Sequence, residues 1–146
     1  MTVALSGKEI ASKLKKQFPG SIVESSENSL LVKSEFLLEL AAFLKTAPDL
    51  NFDYLTAITA VDYYEYFEVI YQLTSFKHNH SLILKTRCQG RENLVLPSVV
   101  GLWQGADYQE REIHDLMGIK FEGHPNMKPI MLWEGFQGHP LRRDYL

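Results

Sequence analysis

The side chains of this chain that could carry out chemistry are concentrated in its last third. Glu112, His114 and Asp115 lie close together, and His124 follows a little further along. Carboxylates and imidazoles are the groups that most often act as general acids and bases. One hypothesis is therefore a free-standing soluble enzyme in which Glu112, Asp115 and either His114 or His124 move protons.

Other kinds of chemistry are not favoured by the sequence. The five histidines show no HExxH-type spacing, and the single cysteine, Cys88, excludes both a disulfide framework and any cysteine-built zinc or iron–sulfur site. The sequence contains neither a Gly-x-Ser-x-Gly nucleophile motif nor a glycine-rich phosphate loop. We therefore expect neither a metal site nor a nucleotide-binding loop in this chain.

Two rigid turns divide the end of the chain. The tripeptide Gly-His-Pro occurs at residues 123–125 and again at residues 138–140, and Arg142 and Arg143 follow the second copy. The apolar segment between the two turns ends in Trp133. Arginine and aromatic side chains fixed beside turns are typical of protein interfaces, although a tryptophan also fills cores. The pattern predicts a surface that meets another protein.

Length, composition and charge narrow the function classes further. The chain has 146 residues, of which 45% are hydrophobic and 23% charged, and this predicts one globular domain. The net charge of −3 gives no reason to expect nucleic acid as a partner. No apolar run approaches the roughly 20 residues that a membrane-spanning helix needs. Any association with a membrane is therefore expected to be indirect, through other proteins.

A short helix is predicted to position the charged residues that precede the first turn. Asp107 is expected to accept hydrogen bonds at the start of this helix, and Glu110 would complete a capping box. Gly118 provides a left-handed stop at its end. Arg111 and Asp115 have the i, i+4 spacing that allows an ion pair.

The periodicity of this helix predicts one buried and one exposed face. Ile113 and Met117 are expected in the core, whereas Glu112 and Asp115 are expected on the exposed face. We expect an arginine to pair with these two carboxylates there, which is a more ordinary arrangement than a shared catalytic proton.

The residues before this region predict helices and a hairpin. Helix one begins with a capping box at Ser6 and ends before Pro19. A hairpin joins residues 21–24 to residues 29–33. Helix two is expected to begin at the capping residue Ser34.

Three strands are predicted next, near residues 52–62, 66–75 and 81–88. Their side chains alternate between apolar and polar, and the first strand is expected to bury Leu55 and Val61 on one face. The last two strands are joined by a short turn, so they must pair in the antiparallel direction.

The predicted fold class is α+β, with a single domain spanning residues 1–146. Residues 1–96 form a core of helices packed on a mostly antiparallel sheet. Residues 97–146 continue it with a short apolar helix at 97–103, the charged helix, and an extended, turn-rich C-terminal segment.

The stretch from Asp107 to Tyr145 closely resembles the signature of one family, the 30 kDa subunit of respiratory complex I, which is the NADH–quinone oxidoreductase of respiratory chains. Homologues of this family also occur in chloroplast and cyanobacterial NDH complexes and in membrane-bound hydrogenases. The residues assigned to the signature and its interface are Glu110, Arg111, Glu112, Asp115, Gly118, Gly123, His124, Pro125, Trp133, Gly138, Pro140, Leu141, Arg142, Arg143, Asp144 and Tyr145.

The resemblance implies a non-catalytic scaffold subunit in the peripheral arm of a proton-translocating NADH:quinone oxidoreductase. Such a subunit packs on the 49 kDa-type large subunit beside the iron–sulfur subunits, on the cytoplasmic, stromal or matrix side of the membrane. Iron–sulfur clusters and quinone are then bound by those neighbours, and the isolated chain is expected to have no activity. The alternative within the family is an accessory subunit of a membrane-bound energy-converting [NiFe] hydrogenase.

The signature suggests how its charges are used. We expect some of Glu112, Asp115, Arg142 and Arg143 to pair inside the chain and to hold the C-terminal segment against the charged helix. The remaining charges, together with Trp133 and Tyr145, would face the large partner subunit.

Overall fold

A computed structural model describes residues 2–128, 130 and 138–143 of the chain. The predicted roles of Trp133, Asp144 and Tyr145 fall outside the described residues. In chain order the elements are β1 (Val3–Ala4), α1 (Gly7–Gln17), β2 (Ile22–Ser25), β3 (Leu30–Val32), a 3-10 turn (Ser34–Phe36), α2 (Leu37–Thr46), β4 (Tyr54–Asp62), β5 (Tyr66–Ser75), β6 (His80–Gln89), β7 (Val95–Pro97), α3 (Ala106–Met117) and β8 (Lys120–Glu122).

The described strands form one large sheet and one small sheet. The large sheet has six strands in the order β2-β3-β6-β5-β4, with β1 added parallel to β6. The antiparallel pairing of β5 with β6 runs from Tyr66 opposite Gln89 to Ser75 opposite His80, as predicted from the short turn between them. The small sheet pairs β7 with β8 in parallel. The α+β class is confirmed.

One face of the large sheet carries the core. Along β5 the buried side chains are every second residue from Phe67 to Leu73, and the residues between them are mostly less buried. All three helices contribute to the same hydrophobic cluster, through residues such as Leu14, Leu40 and Ile113. Ser6 begins α1 as predicted, because its hydroxyl oxygen accepts the backbone N–H of Lys8.

The strand β4 departs from its predicted alternation because it contains a bulge. Leu55 lies opposite Leu73, but the next paired residue, Ala57, lies opposite Gln72. An extra residue in a strand moves all later side chains to the opposite face. Val61, predicted to be buried, is therefore only half-buried, and Asp62 instead lies opposite Phe67 on the core face.

The outer side of β4 is the edge of the large sheet. Its neighbour there is α3, and the side-chain oxygen of Gln109 accepts the backbone N–H of Ile58 at 2.6 Å.

Two helix starts differ from the prediction. Helix α3 begins after Gly105 without a side-chain cap, so Asp107 lies inside its first turn and the predicted capping box with Glu110 is wrong. Helix α2 likewise has no side-chain cap, because Ser34 begins a separate 3-10 turn. A side-chain cap requires an extended residue just before the helix. The residues at these positions, Gly105 before α3 and Phe36 before α2, instead have helical backbone angles.

The predicted helix at residues 97–103 is wrong. Residues up to Pro97 form strand β7, and the backbone N–H of Ser98 donates to the carbonyl of Glu122 in the small sheet. The backbone N–H of Val99 donates to the carboxylate of Glu110. Pairing with β8 therefore keeps the chain extended up to Ser98, and only turns follow up to Trp103, where the N–H groups of Leu102 and Trp103 donate to the carbonyl of Val99.

Candidate interface site

The end of helix α3 is completed by a segment that lies further along the chain. The last four carbonyls of an α-helix have no partner within the helix. Here the carbonyl of His114 accepts the N–H of Gly118, and the other three accept donors from residues 138–143. His139 Nδ1 lies 3.0 Å from the carbonyl of Asp115, Leu141 N lies 2.9 Å from that of Leu116, and Arg142 Nε lies 2.6 Å from that of Met117.

The positive charge of Arg142 also suits this position. The C-terminal end of a helix carries a partial negative charge, so a guanidinium group there is stabilised. The same guanidinium lies 5.1 Å from the centre of the Phe67 ring. Arg142 thus holds the 138–143 segment against both α3 and the core of the sheet.

Gly118 allows this arrangement in two ways. Its φ of +81° is the left-handed conformation that ends the helix, as predicted. A Cβ atom at this position would lie 2.5 Å from Arg142 Nη2 and 2.8 Å from His139 Cδ2. Glycine therefore avoids both the strain of the left-handed backbone and a collision that would displace Arg142 and His139.

Asp62 holds the same segment from the other side. Its carboxylate is buried and accepts hydrogen bonds from both terminal nitrogens of Arg91, at 2.8 and 2.7 Å. It also accepts the backbone N–H groups of Tyr64 and Arg143, each at 2.8 Å. The hydrogen bonds from Arg91 hold the pKa of this carboxyl well below its usual range, against the opposing effect of burial.

The first Gly-His-Pro turn is attached to the beginning of α3. The backbone N–H of Asn126 donates to His124 Nδ1, so Nε2 carries the ring proton of the neutral imidazole. This Nε2 lies 3.2 Å from the backbone carbonyl of Asp107 and 3.0 Å from its Oδ1. The two turns therefore fasten opposite ends of one helix, since His139 of the second turn contacts the carbonyl of Asp115.

Glu110 has a structural role that differs from capping. Its side chain is fully buried and accepts the Ser98 hydroxyl at 2.6 Å and the Val99 N–H at 2.9 Å. Burial raises the pKa of this carboxyl, and the two hydrogen bonds partly oppose the rise. Glu110 thus fixes the turns after β7 against α3.

The two carboxylates predicted to share one exposed face are separated. Glu112 is exposed, but Asp115 is buried, and its Oδ2 accepts the backbone N–H of Ile130 at 2.7 Å. Arg111 donates through Nε to the carbonyl of Lys128 at 2.9 Å. Arg111 and Asp115 thus both bind the backbone that follows the first Gly-His-Pro turn. His114, the third candidate for acid–base chemistry, lies 3.2 Å through Nδ1 from the carbonyl of Ile119.

The signature residues thus divide into two sets. The first set binds other parts of the chain through side-chain hydrogen bonds and comprises Glu110, Arg111, Asp115, His124 and Arg142. His139, which was not assigned to the signature, binds the chain in the same way. The second set is exposed and comprises Glu112, Gly123, Pro125, Gly138, Leu141 and Arg143. Gly118 and Pro140 are half-buried and belong to neither set.

No metal or membrane-spanning feature emerges from the described part of the chain. Within residues 2–128, 130 and 138–143, no three His, Cys, Asp or Glu side chains are grouped to hold a metal ion. None of the helices described there has the length and apolar character needed to cross a membrane. The thiol of Cys88 is buried, and burial raises its pKa to about 11, which disfavours the reactive thiolate.

Sequence reasoning missed three residues that build the site. Asp62 was missed because the bulge in β4, which puts Asp62 on the core face in place of Val61, has no clear sequence signal. Arg91 and Ser98 lie in loops, and their partners Asp62 and Glu110 are remote in the sequence. The one available signal was Asp62 itself, a carboxylate that ends the uncharged run of residues 54–61 in the predicted strand.

The sequence matches the model of a family described as "Respiratory-chain NADH dehydrogenase, 30 Kd subunit" over residues 30–146. A relative from Roseiflexus sp. (strain RS-1), named as a subunit of NADH-quinone oxidoreductase, is 38% identical over 149 residues, which cover 97% of this chain and 85% of the relative. A relative from Rhizobium meliloti (strain 1021), also named as a subunit of NADH-quinone oxidoreductase, is 42% identical over 117 residues, which cover 78% of this chain and 63% of that protein.

Two solved structures are similar to this chain. A trypsin-resistant fragment of Nqo5 superposes with a TM-score of 0.60 at 30% identity and covers 82% of this chain and 96% of the fragment. A chain of an archaeal respiratory complex, the membrane-bound sulfane sulfur reductase, superposes with a TM-score of 0.76 at 24% identity and covers 95% of this chain and 85% of the other. The second likeness establishes a shared fold.

Proposed function

Because the chain belongs to the family of the 30 kDa subunit of respiratory-chain NADH dehydrogenase, we propose that it is a non-catalytic scaffold subunit in the peripheral arm of a proton-translocating NADH:quinone oxidoreductase. In this role it contributes to an enzyme without reacting with NADH or quinone itself. The relatives from Roseiflexus and Rhizobium are named as subunits of NADH-quinone oxidoreductase, which supports the assignment.

One observation carries the scaffold role. Most of the charged and imidazole side chains of the described signature residues bind backbone groups of the chain itself, as when Arg142 completes the end of α3 and Glu110 binds Val99. General acid–base catalysis needs such groups free to reach a substrate. Here Asp115 is instead buried against the N–H of Ile130. The arrangement therefore favours a rigid surface over a reactive centre.

The proposed partners follow from the family. We propose that the chain packs on a 49 kDa-type large subunit beside the iron–sulfur subunits, and that those neighbours bind the clusters and the quinone. The exposed set of signature residues, such as Glu112, Leu141 and Arg143, is the candidate contact surface. Trp133, Asp144 and Tyr145 complete it in this proposal. Membrane association is then indirect, on the cytoplasmic, stromal or matrix side.

We also propose that residues 1–146 act as one domain. The hydrophobic cluster supports this, because it joins Leu14 and Tyr71 from the first part of the chain to Ile113 and Phe121 from the signature region. A domain boundary is expected where few contacts cross it. The cluster contains residues from both 1–96 and 97–146, so no such boundary is expected at residue 96.

The test is to isolate the assembly through a tag on this chain, in cells where the tagged copy replaces the original one. Mass spectrometry should identify a quinone-type large subunit and iron–sulfur subunits, and the isolated assembly should reduce quinone with NADH. The purified chain alone should show neither NADH oxidation nor stoichiometric metal. Substantial activity of the purified chain, or a nickel-bearing large subunit among the co-purified proteins, would overturn the proposal.

Two variants separate scaffolding from chemistry. Arg142→Ala and Glu112→Ala should each lower the amount of assembled complex, and the turnover of each assembled complex should stay close to that of the parent. A variant that assembles fully but loses turnover would place these charges in the reaction and contradict the scaffold role.

A further inference from the structure

The turn between β4 and β5 presents a group of aromatic rings to solvent. Tyr63 and Tyr64 are 44% and 50% exposed. The rings of Tyr63 and Tyr66 lie 5.2 Å apart, and the guanidinium of Arg87 lies 4.3 Å from the centre of the Tyr66 ring. We call residues 63–66 the tyrosine turn. Tyrosine and arginine are the residue types most enriched among the residues that dominate binding at interfaces.

The backbone of Tyr64 is in an unfavourable conformation. Four non-glycine residues in the described part of the chain have positive φ, and the other three are Asn51, Asn79 and Asn93. Asparagine tolerates this conformation, but a bulky side chain adopts it only at a cost. At Tyr64, where φ is +70°, asparagine or glycine would meet the backbone requirement more easily. The conformation of the turn therefore does not explain why residue 64 is a tyrosine. The explanation lies in a role of the side chain.

The surroundings of Tyr64 hold it in this conformation. Its N–H donates to Asp62 Oδ1 at 2.8 Å, and its carbonyl accepts Arg91 Nη1 at 2.9 Å. The carboxylate of Asp62 is itself buried and also binds the segment that contains Arg143. Strained residues held by their surroundings tend to occur at functional sites. A surface fixed in this way loses little conformational freedom when it binds.

The charges around the ring indicate what it would bind. The guanidinium groups of Arg91 and Arg143 lie 5.3 and 5.4 Å from the centre of the Tyr64 ring. Arg91 is paired with Asp62 at 2.7 Å. Arg143 is exposed, and no carboxylate of the described residues forms a salt bridge with it. An additional carboxylate beside Arg143 would complete this side of the ring.

We propose that the tyrosine turn and Arg143 form a docking surface for a carboxylate-bearing segment of another subunit in the same assembly. The proposal rests on the proposed function, because it needs an assembly in which this chain has neighbours. The partner's acid lies on the Arg143 side of Tyr64, since the exposed Glu65 of the same turn would repel it elsewhere. Apolar atoms of the partner pack on the faces of Tyr63 and Tyr64.

Photo-crosslinking in the assembled complex tests which molecule lies at this surface. Tyr64 is replaced by p-benzoylphenylalanine in the tagged full chain, and the crosslinked peptide is identified by mass spectrometry. The matched control carries the same group in place of Tyr54, which is 48% exposed at the opposite end of β4. Position 64 should crosslink to an Asp- or Glu-containing segment of another subunit, and position 54 should not. Crosslinks from position 64 only to a second copy of this chain, only to lipid, or to nothing would overturn the proposal.

A substitution tests the contribution of the ring. Tyr64→Asn keeps a residue that suits positive φ, so the melting temperature should stay within a few degrees of the parent value. Association with the rest of the complex should fall about tenfold or more, as for residues that dominate an interface, while Tyr54→Ala should associate like the parent. Normal association of Tyr64→Asn would overturn the docking surface. Failure of the parent chain itself to assemble would instead overturn the proposed function.

Discussion

The carboxylate of Asp62 accepts the backbone N–H of Arg143 at 2.8 Å, across a sequence separation of 81 residues. The same carboxylate binds the side chain of Arg91. One buried acid therefore joins the end of β4, the loop after β6 and the 138–143 segment. The bulge in β4 makes this contact possible, because it turns Asp62 towards the core face.

Asp62→Asn should lower the free energy of unfolding by about 3–5 kcal/mol at pH 7, the usual cost of removing one member of a buried ion pair. The pKa of Asp62 is depressed in the folded chain. Its contribution is therefore complete above the unfolded value of about 3.9 and is lost as the pH falls towards the folded value. Urea unfolding measured between pH 7 and pH 2 should show the gap between parent and variant closing in acid.

Asp49→Asn is the matched control for that experiment. The pair of Lys13 with Asp49 has the same 2.7 Å separation as that of Arg91 with Asp62, but more than half of each side chain is exposed. Exposed pairs contribute roughly 0–1 kcal/mol. If Asp49→Asn and Asp62→Asn had equal effects, burial of the Asp62 pair would not be the cause of its importance.

Gly118→Ala should destabilise the chain and loosen the 138–143 segment. The left-handed backbone costs a residue with a Cβ about 1–2 kcal/mol, and the new Cβ would also displace Arg142 and His139. Thermal unfolding gives the first effect. The second is measured as faster tryptic cleavage after Arg142 or Arg143, followed by mass spectrometry.

Gly20→Ala separates the two effects. Gly20 has the same φ of +81°, but an added Cβ there would meet no atom within 4 Å. This variant should show the backbone cost alone and should leave cleavage at Arg142 and Arg143 unchanged. Equal cleavage rates in the two variants would show that Gly118 does not control the segment.

Glu110→Ala should cost roughly 3 kcal/mol or more, because it leaves the Ser98 hydroxyl and the Val99 N–H buried without their acceptor and opens a cavity. Glu110→Gln should be much milder. The amide oxygen replaces one carboxylate oxygen as acceptor for Val99, and the amide nitrogen donates to the Ser98 hydroxyl. Chemical denaturation at one neutral pH compares the two variants, and an equal loss would argue against hydrogen bonding as the role of Glu110.

The parent chain and the Glu110→Gln variant should also differ in how their stability depends on pH. The pKa of Glu110 is raised in the folded chain. Its favourable contribution is therefore complete below the unfolded value of about 4.3 and is lost as the pH rises through the folded value. The stability of the parent relative to Glu110→Gln should decline as the pH is raised from 4 to 7. A constant difference would mean that this carboxyl titrates normally.

Cys88 should react with a thiol reagent such as DTNB only slowly in the folded chain. The pKa of about 11 leaves ~100-fold less thiolate at pH 8 than an ordinary cysteine would have, and burial restricts access further. Labelling should become fast when the chain is unfolded in urea. Because the chain has one cysteine, the labelled fraction reports global unfolding directly, and rapid labelling of the native chain would contradict the buried position.

The parts of the fold that were predictable are those set by neighbouring residues. The start of α1 at Ser6, the left-handed stop at Gly118 and the antiparallel pairing of β5 with β6 each depend on residues close in sequence. The strand at Val95–Pro97 was not predictable in this way, because its partner β8 lies beyond a whole helix. Secondary structure at residues 97–103 is decided by those remote contacts.

The location of the candidate site was predictable from the sequence, but the hydrogen-bond partners of its side chains were not. The glycine, proline and arginine residues after Asp107 marked the region, and Arg142 does hold the 138–143 segment to α3. The predicted pairs with Glu112 and Asp115 assumed that carboxylates would be the acceptors. Arg142 instead binds the carbonyl of Met117, an acceptor that every residue carries and that no sequence pattern reveals.

The hydrogen bond between Gln109 and Ile58 also affects the exposed edge of the large sheet. An exposed edge strand invites pairing with the edge of another copy, which leads to aggregation. Strand β4 is nine residues long and lies at an edge of the large sheet. Gln109 occupies a backbone donor on that edge, and α3 covers part of it. The helix that carries the signature therefore also covers part of a sheet edge that could otherwise pair with another copy of the chain.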